Sequence, residues 1–490
     1  MELRWPAAAA ALAAAMSSPA FGADLETTRE AIGLLSRFVA LRSESADGEG
    51  VRRTAGWLEG ELQRLGLATR LLEPQEGGNP MLFAQTPPPS GPDAPTVLFY
   101  MHFDTQPAGP PGDWRSTGGD PFAARLLSGR WDEPGTKPLD AAGLDRRHLP
   151  DARLYGRGAA DDKAPIVMHL MALRDWLAAP RARALRIKLL LDGEEEAGSP
   201  HIGEILRRHA ELLRADLLVL CDGPMDALER RSIYLGTRGD MHMKLTVRTA
   251  ALPGHSGNYG LLPGAGWRMA SLLASMKDRQ GRVTIDGFEQ GVVPPTASER
   301  AALREASAAE QAIAAALGTA AFDGDPAVAY YEKLLFHPTL ALNHLTSGRP
   351  GNQVPVTAEA ILEVRLVTRQ DPRAVFEAVR RHVSEREPAA SLELLDATPA
   401  DRMDAEDPRV ARGIRAARKA AGEDLLIYPT LGGTLPLLGE FSRAGFRYVG
   451  LPMVNFDNNQ HVGNENVRAA ALDEGIDLLL RLYRALEEAP

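Results

Sequence analysis

Four short apolar runs set the terms for any fold this chain can adopt: 96–101 (TVLFYM), 185–191 (LRIKLLL), 217–220 (LLVL) and 448–453 (YVGLPM). Each is followed at once by polar or acidic residues. Around them, 27–41, 52–65, 165–177 and 469–487 place apolar residues at helical spacing. Runs this short between helices predict buried strands of a mostly parallel sheet flanked by helices, an α/β fold. His102, Asp104, Glu195, Glu196 and Asp222 all fall at or just beyond the C-terminal ends of such runs. That edge is where open α/β sheets bind ligands, so the placement alone marks a candidate active site.

At 490 residues the chain exceeds one ordinary hydrophobic core, and two domains are expected. The pattern changes in the middle. Residues 241–247 and 360–367 alternate as half-exposed strands do; 260–276, 299–317 and 373–385 read as helices, and 391–395 as a further strand. These predict an α+β domain inserted at 238–397, within an α/β domain made of 23–237 and 398–490. The stretches 87–92 and 129–150, rich in Pro, Gly and charge, read as loops.

Residues 1–22 read as a cleavable export signal, with Arg4, an apolar run at 7–15, and Ala20-Phe21-Gly22 before Ala23. The run is well short of the ~20 residues a membrane span needs; an Ala-rich anchor or a disordered leader is the rival reading. The mature chain is then expected in the periplasm or outside the cell, without a membrane span. The single cysteine, Cys221, excludes an intramolecular disulfide and reads as a buried small residue. A net charge of -10 argues against a nucleic-acid partner.

The chemistry is concentrated in a few motifs. Gly156 to Lys163 (GRGAADDK) ends in an acidic pair just before a helix, which reads either as a helix cap or as ligands. Residues 193–199 (GEEEAGS) put three carboxylates at a strand end, where repulsion costs free energy unless a cation or proton offsets it. Asp222 repeats that arrangement, and His461 sits in the polar loop 457–465. Mixed imidazole and carboxylate ligands suit zinc, with cobalt or manganese as substitutes. Two divalent ions against the -3 of Asp161, Glu196 and Asp222 leave positive charge to stabilise a bridging hydroxide nucleophile.

HFDTQPA (102–108), YGRGAADDKAP (155–165), GEEEAGS (193–199), CDG (221–223), PGHSGNYG (253–260), GNQVP (351–355) and QHVGNEN (460–466) occur in order over nearly the whole mature chain. Together they resemble the co-catalytic zinc peptidases: carnosinases, dipeptidase V, glutamate carboxypeptidase and succinyl-diaminopimelate desuccinylase. The long middle insertion is most similar to the carnosinase and dipeptidase V branch. The resemblance implies two Zn2+ per subunit, with Asp161 bridging them. His102 and Asp222 would complete one site and Glu196 and His461 the other. It also implies that Asp104 tunes His102, that Glu195 is the general base, and that the peptide bond between Asp161 and Asp162 is cis.

The same resemblance makes the inserted domain a lid and homodimerisation domain. In it His255 would reach the partner subunit's site to stabilise the oxyanion, with Asn352 in the same cluster. Arg365 would bind the substrate's terminal carboxylate, beside a loop containing Gly433 and Thr434; on spacing alone Arg365 reads as an exposed strand arginine without a ligand. Two departures stand out: Ala164 replaces a usual glycine, and 129–150 is longer than its counterpart, which opens the pocket rim to change. The implied activity is that of a zinc exopeptidase, a dipeptidase or carboxypeptidase acting on small peptides. The alternative is an amidohydrolase acting on N-acyl amino acids. A scaffold that has lost its chemistry is opposed by the presence of all five ligands and Glu195.

Overall fold

The computed structural model describes residues 22–91, 94–180, 183–226, 229–307, 310–320, 322–325 and 327–488. The expected leader at 1–22 therefore lies outside the described residues, apart from Gly22. The chain forms two compact units: Gly236–Arg402 with Tyr428–Gly439, and the remainder of the described residues.

The larger unit is built on an eight-stranded sheet. At its centre Thr96–His102 pairs in parallel with Arg186–Asp192 on one side and Leu217–Leu220 on the other. Tyr448–Gly450 continues the parallel run beyond Leu217–Leu220. Three of these four strands are the apolar runs that continuous burial on both faces demands. The fourth stops at Gly450, because Pro452 cannot donate to a ladder. Antiparallel strands that sequence patterning did not bring out, Ala68–Leu72, Met81–Gln85 and Ser232–Tyr234, extend the edges. Helix Lys163–Ala178 is buried along almost its whole length and packs against Leu25–Val39 and Ala469–Glu488. Helix Gly48–Arg64 begins four residues before the expected 52, because Asp47 caps it by accepting from Gly50 N at 3.0 Å.

The smaller unit carries a four-stranded antiparallel sheet in the order Thr339–Ser347, Thr357–Leu366, Gly239–Arg248, Ala390–Thr398. Met241, Met243, Leu245 and Val247, with Ala358, Ala360, Leu362 and Val364, form its apolar face. Helices Ala265–Ala274 and Pro372–Arg386 bury Met269, Leu272, Val375 and Val379 in the same core. The segment expected at 238–397 lies inside this unit, which also takes in 428–439.

Two expectations need correction here, and one strand was not expected. Residues 260–276 are not one helix: helix Ser256–Tyr259 ends before Pro263, which disfavours a helical residue ahead of it, and the second helix starts at Ala265. Residues 299–317 divide into Ala297–Ala306 and Glu310–Leu317. The edge strand Thr339–Ser347 escaped detection because all but Leu340 is exposed, so no alternation marks it.

Candidate metal centre

The centre lies at the C-terminal edge of the parallel strands, within the larger unit. His102, fully buried, ends its strand with Nε2 at 3.0 Å from Asp161 Oδ1. Its Nδ1 faces Asp104, 3.2 Å from the backbone carbonyl and 3.3 Å from Oδ1. Asp104 does more than orient that ring. Its Oδ1 accepts from Glu195 N at 3.1 Å, and its Oδ2 from Glu196 N at 3.0 Å and from Ser45 Oγ at 2.6 Å. One buried carboxylate thus holds the short 3-10 turn Glu195–Ala197 against the His102 strand.

Asp161 is the hub. Its second oxygen, Oδ2, lies 3.0 Å from His461 Nε2, which is also 3.3 Å from Glu196 Oε2. The peptide bond between Asp161 and Asp162 is cis. Asp162 stands at the start of helix Lys163–Ala178 but makes no side-chain cap bond; its Oδ2 accepts from His102 N at 3.2 Å instead. The helix-cap reading of this acidic pair is thereby set aside.

Ligand atoms of His102, Asp161 and Glu196 all lie within 4.8 Å of one another, as do those of His102, Glu195 and Asp222. The five expected ligands and Glu195 are therefore brought together. Burial, with repulsion from Asp161 and Glu196, pushes the Asp222 carboxyl up to about 7. Burial, with Asp222 and Glu196, drives Glu195 well above the carboxylate range. Burial alone would depress His102, but its hydrogen bonds to Asp104 and Asp161 hold it well above the usual imidazole value. Hydrogen bonds to Asp161 and Glu196 raise His461 to about 10. Raised acids and raised imidazoles gathered around an Asp161 carboxylate that the imidazoles hold low form a donor set suited to divalent cations.

Sequence reasoning assigned no role to four supporting residues. Gln106 donates from Nε2 to Glu196 Oε2 at 2.9 Å and from its backbone N to Oε1 at 3.2 Å. Ser45 supports Asp104, as above. Asp192 accepts from Tyr100 Oη at 2.8 Å and Ser199 Oγ at 2.7 Å, bracketing the acidic turn. Glu465 is fully buried behind Asp161. It lies in the QHVGNEN motif, but a carboxylate in a polar loop carries no spacing that announces burial.

The remaining expected site residues lie in the smaller unit. A two-stranded ribbon pairs His255 with Gln353, which sets His255 beside Asn352; the Asn352 carbonyl accepts from Ser256 N at 2.8 Å. His255 is exposed, and its Nδ1 accepts from Gly257 N at 3.1 Å. Arg365 donates from Nη1 to Thr434 Oγ1 at 2.9 Å and pairs through Nε with Glu363 at 2.6 Å. The carbonyl of Gly433 accepts from Arg238 N at 3.0 Å and Thr237 Oγ1 at 2.9 Å.

Residues 98–485 match the model of peptidase family M20/M25/M40. The chain belongs to this family. The cysteinylglycine-S-conjugate dipeptidase of Corynebacterium striatum is 27% identical over 397 residues, 78% of each chain. The human beta-Ala-His dipeptidase is 24% identical over 417 residues, 80% of this chain and 75% of its own. An M20 family metallo-carboxypeptidase from Sulfolobus solfataricus superposes with a TM-score of 0.74 at 26% identity, covering 94% of this chain and 99% of its own. As an M20 enzyme the chain is a metal-dependent peptidase.

In the metal-free M20 protein, protons stand in for the cations, and this sets a pH dependence. A group whose proton affinity is raised by folding contributes stability that is lost as pH rises through its folded pKa. Asp222, Glu195, His102 and His461 all act in that sense. Asp161, held below the ordinary carboxylate range against its burial by the two imidazoles, acts oppositely, but only below about pH 4. Metal-free protein is therefore expected to lose stability between about pH 5 and pH 7, where ordinary carboxylates are already ionised. A divalent ion at about 100 times its Kd should restore about 2.7 kcal/mol per site. Thermal melts at both pH values, with and without zinc, check this; metal-free protein that melts higher at the upper pH would contradict it.

Proposed function

We propose that this M20 enzyme is an exported, homodimeric dipeptidase working with two zinc ions per subunit. One observation carries the reading: the two oxygens of Asp161 face separate imidazoles, His102 and His461, each at 3.0 Å. A carboxylate presented in this way suits two cations side by side, with His102 and Asp222 holding one and His461 and Glu196 the other. Imidazole and carboxylate donors fit zinc, and admit cobalt or manganese. When bound, the ions polarise the scissile carbonyl and make water acidic enough to attack it.

The chain's own residues do the rest. Glu195 accepts a proton from the attacking water and returns it to the leaving amine. Asp104 keeps His102 and the Glu195 turn in register. Arg365, braced by Thr434, receives the substrate's terminal carboxylate through its guanidinium fork. His255, with Asn352 next to it, serves the partner subunit's site by donating to the developing oxyanion.

Relatives spanning about four fifths of the chain are named as dipeptidases, which favours dipeptides over N-acyl amino acids. The carboxypeptidase structure keeps longer peptides as a second reading. Steady-state assays of zinc-loaded protein on dipeptides, blocked tripeptides, and N-acetyl and N-succinyl amino acids decide among them. The highest kcat/KM is expected on dipeptides, and turnover of acylated substrates alone would sink the reading. The shared site is tested by mixing inactive His255→Ala and Glu195→Gln proteins, which should recover partial activity as heterodimers. No recovery, with subunit exchange confirmed, would count against it. Export requires a mature N-terminus at Ala23 outside the cytoplasm; an uncleaved cytoplasmic chain would remove that part of the proposal.

A further inference from the structure

His461 is an awkward ligand to hold. Its side chain is 53% exposed, and the stretch 457–465 has neither helix nor strand to carry it. Asn459, His461 and Asn464 have φ values of 58°, 63° and 59°, the left-handed region that few residues other than glycine enter and that Asn and His tolerate best, so the loop follows an irregular path of its own. Packing of the imidazole therefore does little to place it, and the loop backbone must.

That backbone is secured at Glu465. Its Oε2 accepts from Arg157 Nη1 at 2.7 Å and Gly158 N at 2.9 Å. Its Oε1 accepts from Ala160 N at 2.9 Å and Asp161 N at 3.0 Å. All four donors lie on the loop that delivers Asp161. Arg157 is itself buried, with its guanidinium 5.1 Å from the Trp114 ring centre, and Nη2 reaches back to Val462 O at 3.4 Å. One carboxylate thus joins the two irregular loops that bear Asp161 and His461. The His461 loop is also closed on its outer side, where a Cβ on Gly463 would meet Asp113 O at 2.2 Å. His102 needs none of this support, being buried at a strand end and held by Asp104.

We infer that Glu465 is a positioning residue that sets the spacing of His461 from Asp161, and so selectively determines the affinity of the ion site shared by His461, Asp161 and Glu196. The inference rests on the two-ion reading above. Glu465→Gln preserves the shape but turns an amide toward two of the four N–H donors. Chelator-competition titrations with zinc should show two sites in the wild type. In the variant one site should be unchanged and the other weaker by about 10- to 100-fold, the usual effect of losing a residue that orients a ligand. A natively folded variant, judged by circular dichroism, that binds two ions with wild-type affinity would overturn the inference, as would equal weakening of both sites. If Glu465→Gln does not fold, Gly463→Ala disturbs the same loop from its other side. It should show the same selective loss, and two wild-type sites there would equally overturn the inference. A wild type that binds a single ion would instead sink the two-ion reading itself.

Discussion

Glu195→Gln is expected to lower kcat by about 10²- to 10⁴-fold, the range usual for a general acid–base group, while metal content stays at the wild-type level. The amide keeps the bulk of the side chain and leaves the backbone bond from Glu195 N to Asp104 Oδ1 in place, so the turn carrying Glu196 is not disturbed. What is lost is the ability to accept and return a proton. The substitution also removes a carboxyl that burial, with Asp222, Glu196 and Asp161, forces to stay protonated in the metal-free site at a cost in stability. Metal-free variant protein should therefore melt higher than metal-free wild type, although it is nearly inactive. Metal analysis is the critical measurement, because Glu195 lies within ligand distance of His102 and Asp222. A loss of metal would mean that Glu195 is a ligand and that its role and that of Glu196 have been exchanged.

Asp161→Ala should have an effect as large, by a different route. Its carboxylate is the only group within 3.0 Å of both imidazoles among the described residues. Without it, His102 and His461 lose the partner that aligns them, and neither proposed ion keeps a complete set of ligands. After dialysis under conditions in which the wild type keeps its metal, the variant is expected to retain neither ion and to fall to the buffer blank in peptide hydrolysis. Retention of both ions would show that Asp161 is not shared between them.

The two variants separate chemistry from binding. Glu195→Gln should leave a loaded, silent site; Asp161→Ala should leave an empty one. Position within the fold explains the difference. Glu195 sits on a turn fixed through its own backbone, so its side chain is free for proton transfer. Asp161 instead turns its two carboxylate oxygens to separate imidazoles, His102 and His461, each at 3.0 Å, so its side chain is committed to holding them.

Much of this arrangement was legible in the order of the residues. The runs 96–101, 185–191 and 217–220, short, mostly apolar and set between helical stretches, point to buried strands. The polar residue that ends such a run has to emerge at the sheet edge, which is why His102, Glu195, Glu196 and Asp222 could be placed on one rim. Helix boundaries with a local chemical cause were also close to legible, as at Asp24, which caps Leu25–Val39 by accepting from Thr27 N at 2.9 Å. Where no local cause exists, the reading failed. The strand Thr339–Ser347 has almost no buried residue to give it a period, and it forms only because Thr357–Leu366 offers a free edge for pairing.

The sequence alone determined which side chains are available for chemistry and which strand ends present them, since burial of apolar runs is a local, additive demand. Only the tertiary structure decided how those side chains meet. It turned the two oxygens of Asp161 toward imidazoles 59 and 300 positions away (102 to 161, and 161 to 461). It also recruited Glu465 as the brace behind them. Such pairings depend on long-range closure and on the desolvation of charged groups, and neither leaves a periodic trace in the order of the residues.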